Sequence, residues 1–259
     1  MKYLKQFKQA SEYEAFKAGD EYITPNVSFV EDSNEVMFGP VVKSLVYNMV
    51  DLGLPSGLLW ADRNVGATSP EDQGLYFAWG DTVGYTAEQI ANGEKAFASN
   101  WSDYFDTTDG GSTFNKYNNV GGLTVLQPED DAATVNMGAE YRMPTEADFD
   151  ELINNCTVSL IDLQGNEASS DNEYLKGIKF TGSNGNSIFI PSTGCYFDNG
   201  TIYGIFDYDS NLWSSSLGSP SRLDSSQSYN GCYFLFDGDL DVGKEDRYYG
   251  QPVRGVKVK

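Results

Sequence analysis

Hydrophobic positions recur along this chain in two rhythms. Near the start, Leu4, Phe7, Ala10, Tyr13 and Phe16 fall close to helical spacing and Gly19 follows as a C-cap, which predicts a helix over residues 4–18. Val27 and Phe29, then Val36 and Phe38, alternate with period two on either side of Glu31-Asp32-Ser33-Asn34-Glu35. With Pro25 and Pro40 as brackets they predict a β-hairpin. Residues 41–48 are expected to lead into a main domain as its first strand. The turn residues Gly53 to Gly57 then precede a short apolar strand, Leu58-Leu59-Trp60-Ala61. Ser69-Pro70-Glu71-Asp72 has the chemistry of a one-turn helix start, with Ser69 as N-cap, Pro70 at the first helical position and Gly74 as the stop.

Two further helices are expected. One runs from Pro128-Glu129-Asp130-Asp131 to Gly138. The other begins after Thr145, an N-cap with Asp148 as its capping-box partner, and presents Phe149, Leu152, Ile153 and Cys156 on one face. That face makes Cys156 a core residue. From Lys176 onward the pattern is of short antiparallel strands at 177–180, 187–190, 193–197, 211–215, 231–236 and 253–258. The fold class is therefore α+β. Residues 1–45 form a small helix-plus-hairpin arm ahead of a domain over 46–259. A two-stranded hairpin is marginal in water, so the arm is expected to need something to dock on.

Composition fits this picture. With 27 Gly against 9 Pro and 14% aromatic residues, the chain suits many short strands joined by turns around a ring-rich core. At 259 residues it has room for a core that needs no staples. The formal charge of −21 argues against nucleic acid, which needs a basic footprint, and against an anionic membrane surface. It reads as a solubilising surface; recruitment of a basic partner or divalent cations is the sharper alternative. There is no histidine, which removes the commonest general base and zinc ligand. Cys156, Cys195 and Cys232 are too few and too dispersed for a disulfide framework and read as buried thiols, although Cys195 and Cys232 could pair in an oxidising compartment. The first residues carry no signal-peptide pattern, and no run is apolar enough to span a membrane.

Candidate chemistry is sparse. Carboxylate pairs abound, but none stands in a glycosidase-like motif. Asp237-Gly238-Asp239-Leu240-Asp241-Val242-Gly243 invites a calcium reading. Counted as an EF-hand, however, its sixth position is Val242 rather than glycine and its twelfth is Tyr248 rather than glutamate, so a solvated hairpin turn is expected. No cofactor or metal is called for. Residues 87–119 form a long polar insertion with interleaved rings, a length associated with function or mobility. The better ligand-surface candidates are Tyr203, Phe206, Asp207 and Tyr208, with Arg222, Asp224 and Tyr229. There, rigid rings alternate with polar groups, as on adaptable recognition surfaces.

Six blocks carry a resemblance. They are VDLGLPSGLLWADRNVGATSPEDQGLYFAWGD at 50–81, QPEDDAA at 127–133, YRMPTE at 141–146, TGSNGNSIFIP at 181–191, WSSS at 213–216 and YGQPVRGVK at 249–257. In this order they resemble the Fibrobacter succinogenes major paralogous domain, a family similar to the C-type-lectin-like and formylglycine-generating-enzyme folds. The resemblance implies a lectin-like domain with its termini close together, in which Trp60, Trp79, Arg142, Trp213 and Arg254 act as fold-specifying core and ion-pair residues. It implies late loops forming a binding face. It does not extend to calcium-dependent sugar chemistry, since Ser214-Ser215-Ser216 follows Trp213, nor to the paired active-site cysteines of the enzymes. The arm looks like leader segments of gut Bacteroidetes (crAss-like) phage structural proteins.

Together these imply a non-enzymatic virion protein, a head fibre, decoration or tail-associated adhesin assembled in the host cytoplasm. It would be a dimer or trimer, tied to capsid or tail proteins through residues 1–45 and binding bacterial surface glycans or proteins. The alternative is a Bacteroidetes cell-surface or secreted binding domain.

Overall fold

The computed structural model describes residues 22–23, 42–43, 47–97, 116–118, 122–168, 174–197, 201–203, 210–218, 230–236 and 240–259. The chain divides into two compact units, Met1–Val46 and Tyr47–Lys259. In the first, β1 (Tyr22–Ile23) pairs antiparallel with β2 (Val42–Lys43). The expected helix at 4–18 and the hairpin strands at 27–38 lie outside the described residues. One expectation is corrected here: β2 pairs within the small unit and is not the first strand of the larger one.

The larger unit runs β3 (Met49–Asp51), β4 (Leu59–Asn64), β5 (Tyr76–Phe77), α1 (Ala87–Ala91), α2 (Ala132–Met137), α3 (Glu146–Asn155), β6 (Thr157–Asp162), β7 (Glu167–Ala168), β8 (Leu175–Thr181) and β9 (Ser187–Pro191). It continues with β10 (Cys195–Phe197), β11 (Thr201–Tyr203), β12 (Leu212–Leu217), β13 (Asn230–Phe236), β14 (Leu240–Asp246), β15 (Gln251–Pro252) and β16 (Arg254–Lys257). Among the described residues the helices are few and short and the named strands pair antiparallel, which makes this an α+β architecture. The sheets are ordered β16-β4-β3, β7-β6-β8-β9, β12-β13-β14, β5-β15 and β10-β11. None of the described helices is long and apolar enough to cross a membrane.

The first sheet begins as a hairpin. Gly57 N–H donates to Leu54 O at 2.9 Å, and this turn folds β3 back so that Val50 faces Trp60. The chain's last strand then adds to the other edge of β4, with Val256 opposite Trp60. The β8–β9 turn abuts the end of β3 so closely that a Cβ on Gly182 would fall 1.9 Å from Leu52 O, and only glycine fits. Asn184 and Asn186 each donate their side-chain N–H to Asp51 O at 2.8 Å, which pins the turn there.

α3 forms as its sequence predicts. Thr145 Oγ1 accepts from Asp148 N–H at 3.2 Å, and Asp148 Oδ2 accepts from Thr145 N–H at 2.7 Å, closing the capping box. Phe149 and Leu152 are buried in the main core with Leu52, Trp60, Ile178, Phe180, Ile190 and Val256, while Ile153 and Cys156 pack partly buried against it. Each such full burial contributes about 2 kcal/mol. The Trp60 and Phe149 rings meet at 5.4 Å. A second cluster gathers Phe77, Trp79, Trp213, Met143, Ala133 and Val253. There the two indoles cross, Trp79 Nε1 donating to Ser214 O and Trp213 Nε1 to Phe77 O, both at 2.9 Å.

Four local expectations are corrected. Residues 69–72 make a single turn closed by Asp72 N–H to Ser69 O, because Asp72 folds its carboxylate onto Thr68 N–H and Gly74 N–H instead of starting a helix. α2 starts at Ala132, not Pro128, because Asp131 is the N-cap accepting from Thr134 N–H, while Gln127 to Asp130 forms a separate turn. The insertion from residue 87 opens with α1, capped by Thr86 and Gln89, and it contributes Phe97 and Tyr117 to the interior. The expected turn at 237–243 is shorter, since Leu240–Asp246 is a full strand paired with β13. Strands β1, β3, β5, β6, β7 and β11 carried no expectation.

Candidate functional site

Chain connectivity fixes where the expected recognition residues attach. Tyr203 ends β11, opposite Cys195 on β10. Phe206, Asp207 and Tyr208 follow it, and Arg222, Asp224 and Tyr229 fall between β12 and β13; all six lie outside the described residues. The first group enters β12 at Ser210 and the second leaves it after Gly218. Between them runs β12, whose five residue steps from Leu212 to Leu217 span roughly 17 Å. The two groups are thus rooted at opposite ends of one strand, and the described backbone does not bring them to a common point.

The root of the second group lies beside a described aromatic rim that sequence reasoning did not single out. Asn230 faces Asp246 and Gly231 faces Glu245 across the β13–β14 ladder. After Asp246 the chain turns, Tyr249 N–H donating to Asp246 O at 2.9 Å. The turn sets Tyr248 edge-on to Tyr249 at 4.9 Å, and Tyr249 meets Phe197 of β10 at 5.7 Å. Tyr248 donates its hydroxyl to Asp246 Oδ2 at 2.8 Å. Burial and that hydrogen bond together hold the Tyr248 phenol well above its ordinary range. Burial raises the Glu245 carboxyl. Phe197, Tyr248 and Tyr249 are half-buried, so the rim offers part of its ring surface beside carboxylates. The signal in the sequence is Glu245-Asp246-Arg247-Tyr248-Tyr249, acids beside rings, whose end coincides with the fold-specifying block at 249–257.

Beneath the surface runs a buried polar seam. Arg254, on β16, donates Nε to Asn64 Oδ1 at 2.9 Å and Nη1 to Phe189 O at 2.8 Å. Asn64 donates to Gln73 O at 3.0 Å, and Gln73 donates to Ser192 O at 3.2 Å. Next to it, Thr193 O accepts the Tyr76 hydroxyl at 2.6 Å, and Thr193 Oγ1 accepts Asn211 N–H at 3.0 Å. The ion-pair expectation is corrected for Arg254: its two contacts are neutral oxygens, and burial pushes its pKa down to about 9. For Arg142 it holds, with Nη1 2.7 Å from Asp148 Oδ2. Trp60, Trp79 and Trp213 are core residues as expected.

The distinctive carboxylates serve the backbone. Asp131 caps α2 and also accepts Met143 N–H at 2.8 Å; burial still raises its pKa. Burial likewise raises Asp148, but Arg142 and Thr145 outweigh it and the carboxyl titrates below its ordinary value. Asp162 accepts Gln164 and Asn166 N–H in the β6–β7 turn. At the end of the insertion, Tyr117 donates to Asp130 at 2.6 Å while its oxygen accepts Gln127 N–H at 2.8 Å; burial and the Asp130 bond push the phenol up to about 12. Lys116 joins the same carboxylate at 2.7 Å. Burial raises the Cys156 thiol, consistent with a packing role. Among the described residues no group of three or more Cys, Asp or Glu side chains is arranged to hold a metal. No protein-family model, curated protein or solved structure matches the chain.

Proposed function

We propose that this chain is a non-enzymatic phage virion protein, a head fibre, decoration or tail-associated adhesin. Residues 1–45 would fasten it to capsid or tail proteins or to further copies of itself. Residues 46–259, read as a C-type-lectin-like domain, would display a recognition surface to bacterial surface glycans or proteins. The observation that carries this reading is the division into two compact units of very unequal size, which supplies a separate small body for attachment and a large one for display. It is supported by the rim of Phe197, Tyr248 and Tyr249 beside Asp246, where amphipathic rings adjoin hydrogen-bond acceptors. The use of Asp131, Asp148 and Asp162 as backbone anchors assigns the most distinctive carboxylates a structural role.

The test is the mass in solution, by light scattering, of the full chain and of a chain lacking residues 1–45. A dimer or trimer that becomes a folded monomer on truncation supports the arm as an assembly device. Two monomers of equal stability, neither of which binds capsid or tail proteins, count against it.

A further inference from the structure

Four Asn-Gly dipeptides occur in the sequence, and two of them, Asn92-Gly93 and Asn184-Gly185, lie in described, exposed turns. The turns form a matched pair. Both glycines hold positive φ, 77° and 84°. Both glycine amides donate to a backbone carbonyl three residues back, Gly93 to Ile90 O at 2.9 Å and Gly185 to Gly182 O at 3.0 Å. A Cβ on either glycine would meet nothing within 4 Å, so neither turn is crowded. They differ at the asparagine side chain. Asn184 is held at both ends, Nδ2 donating to Asp51 O at 2.8 Å and Oδ1 accepting Asn186 N–H at 3.1 Å. Asn92, the C-cap of α1, makes no side-chain hydrogen bond with any described residue.

We propose that Asn92-Gly93 is a site of spontaneous deamidation and that Asn184-Gly185, the same dipeptide, is protected. The deprotonated Gly93 nitrogen attacks the Asn92 side-chain carbonyl carbon, and the new C–N bond closes a five-membered imide as ammonia leaves with a proton from solvent. Water then opens the imide at either carbonyl, giving aspartate or isoaspartate; no oxidant or reductant is needed. Only an asparagine free to rotate can present its carbonyl carbon to the next nitrogen. Asn184 must first release two hydrogen bonds, which slows it by about tenfold or more. The product adds a negative charge at the end of α1. Isoaspartate also lengthens the backbone where Asn92 N–H and Gly93 N–H close the helix onto Glu88 O and Ile90 O.

The experiment is peptide mapping by mass spectrometry of the full chain after incubation at mildly alkaline pH. Expected is a gain of one dalton in the peptide holding residues 92–93, split between aspartate and isoaspartate, with ammonia released. The peptide holding 184–185 should lag by about tenfold or more, and Asn92→Gln should abolish the first gain. Asn186→Ala keeps the backbone N–H that Asn184 Oδ1 accepts but deletes the turn's second side-chain tie to Asp51 O, and should accelerate Asn184 by loosening the turn; Asn92 in the same protein reports whether the fold is intact. Equal rates at the two sites, or Asn184 reacting first, overturns the proposal, as does an unmodified Asn92.

Discussion

Two regions of the larger unit, one wholly and one largely buried, are held by opposite means. Around Trp60 and Phe149 the interior is apolar, and α3, β4 and β8–β9 meet there through side chains that ask only for volume. Along Arg254, Asn64, Gln73 and Ser192 it is polar and linked by single hydrogen bonds from one group to the next, while Arg254 Nη2 and Ser192 Oγ find no partner among the described residues. The first region should tolerate a change of shape better than a change of size. The second should tolerate replacement of two bonded partners together better than loss of either one, because a buried polar atom left without its hydrogen bond keeps the full cost of leaving water.

The comparison is broken most severely by Phe149→Ala. Removing a wholly buried ring that faces Trp60 should cost about 3–5 kcal/mol in chemical denaturation, with Phe149→Leu much milder. Asn64→Ala in the seam should cost about 2–3 kcal/mol, since it strands both Arg254 Nε and Gln73 O. Arg254→Met strands Asn64 Oδ1 and Phe189 O in turn and should cost a similar amount, with the double variant costing less than the sum of the two; additive costs would mean that the Arg254–Asn64 bond does not organise the seam.

A smaller effect separates a third region by pH. The Tyr117 phenol is raised from about 10 in the unfolded chain to about 12 in the fold, so the unfolded state loses that proton first. Its contribution to stability is fully present below pH 10 and is lost as pH rises toward 12. Tyr117→Phe should flatten that alkaline decline in a denaturation series. The smallest stability change is expected at the rim. Tyr248→Ala should shift stability by less than about 1 kcal/mol, because the ring is half-exposed. Any effect on binding to bacterial surfaces would therefore be read without unfolding.

The two interiors also differed in how far they could be read from the sequence. The start of α3 was legible because its capping box and the apolar positions Phe149 and Leu152 are local patterns, whereas Cys156, expected on the same face, is the extended C-cap and only partly buried. The β8–β9 hairpin was legible because its turn glycines sit between two apolar runs. The seam was not, since Arg254 meets Asn64 across 190 positions and no periodicity marks such a pair. β14 was missed because Asp239, Asp241 and Gly243 mimic turn chemistry, while its pairing with β13 is decided by the neighbouring strand. At residues 69–72 the composition was right for a helix start, but one side chain, Asp72, was better satisfied by closing a turn. The recognition residues between β11 and β12 and between β12 and β13 were chosen by composition alone, which says nothing of their roots at opposite ends of β12.

The central claim is that the larger unit displays a surface that recognises bacteria. The most direct measurement is binding of the fluorescently labelled full chain to intact Bacteroidetes cells and to a glycan array, beside Tyr248→Ala and Tyr249→Ala variants of unchanged stability. The account predicts saturable binding to a subset of strains or glycans that the variants lose. Contradiction would be no binding to any strain or glycan by a correctly assembled protein, or binding that the variants retain and that disappears only when residues 1–45 are removed from an otherwise unchanged monomer.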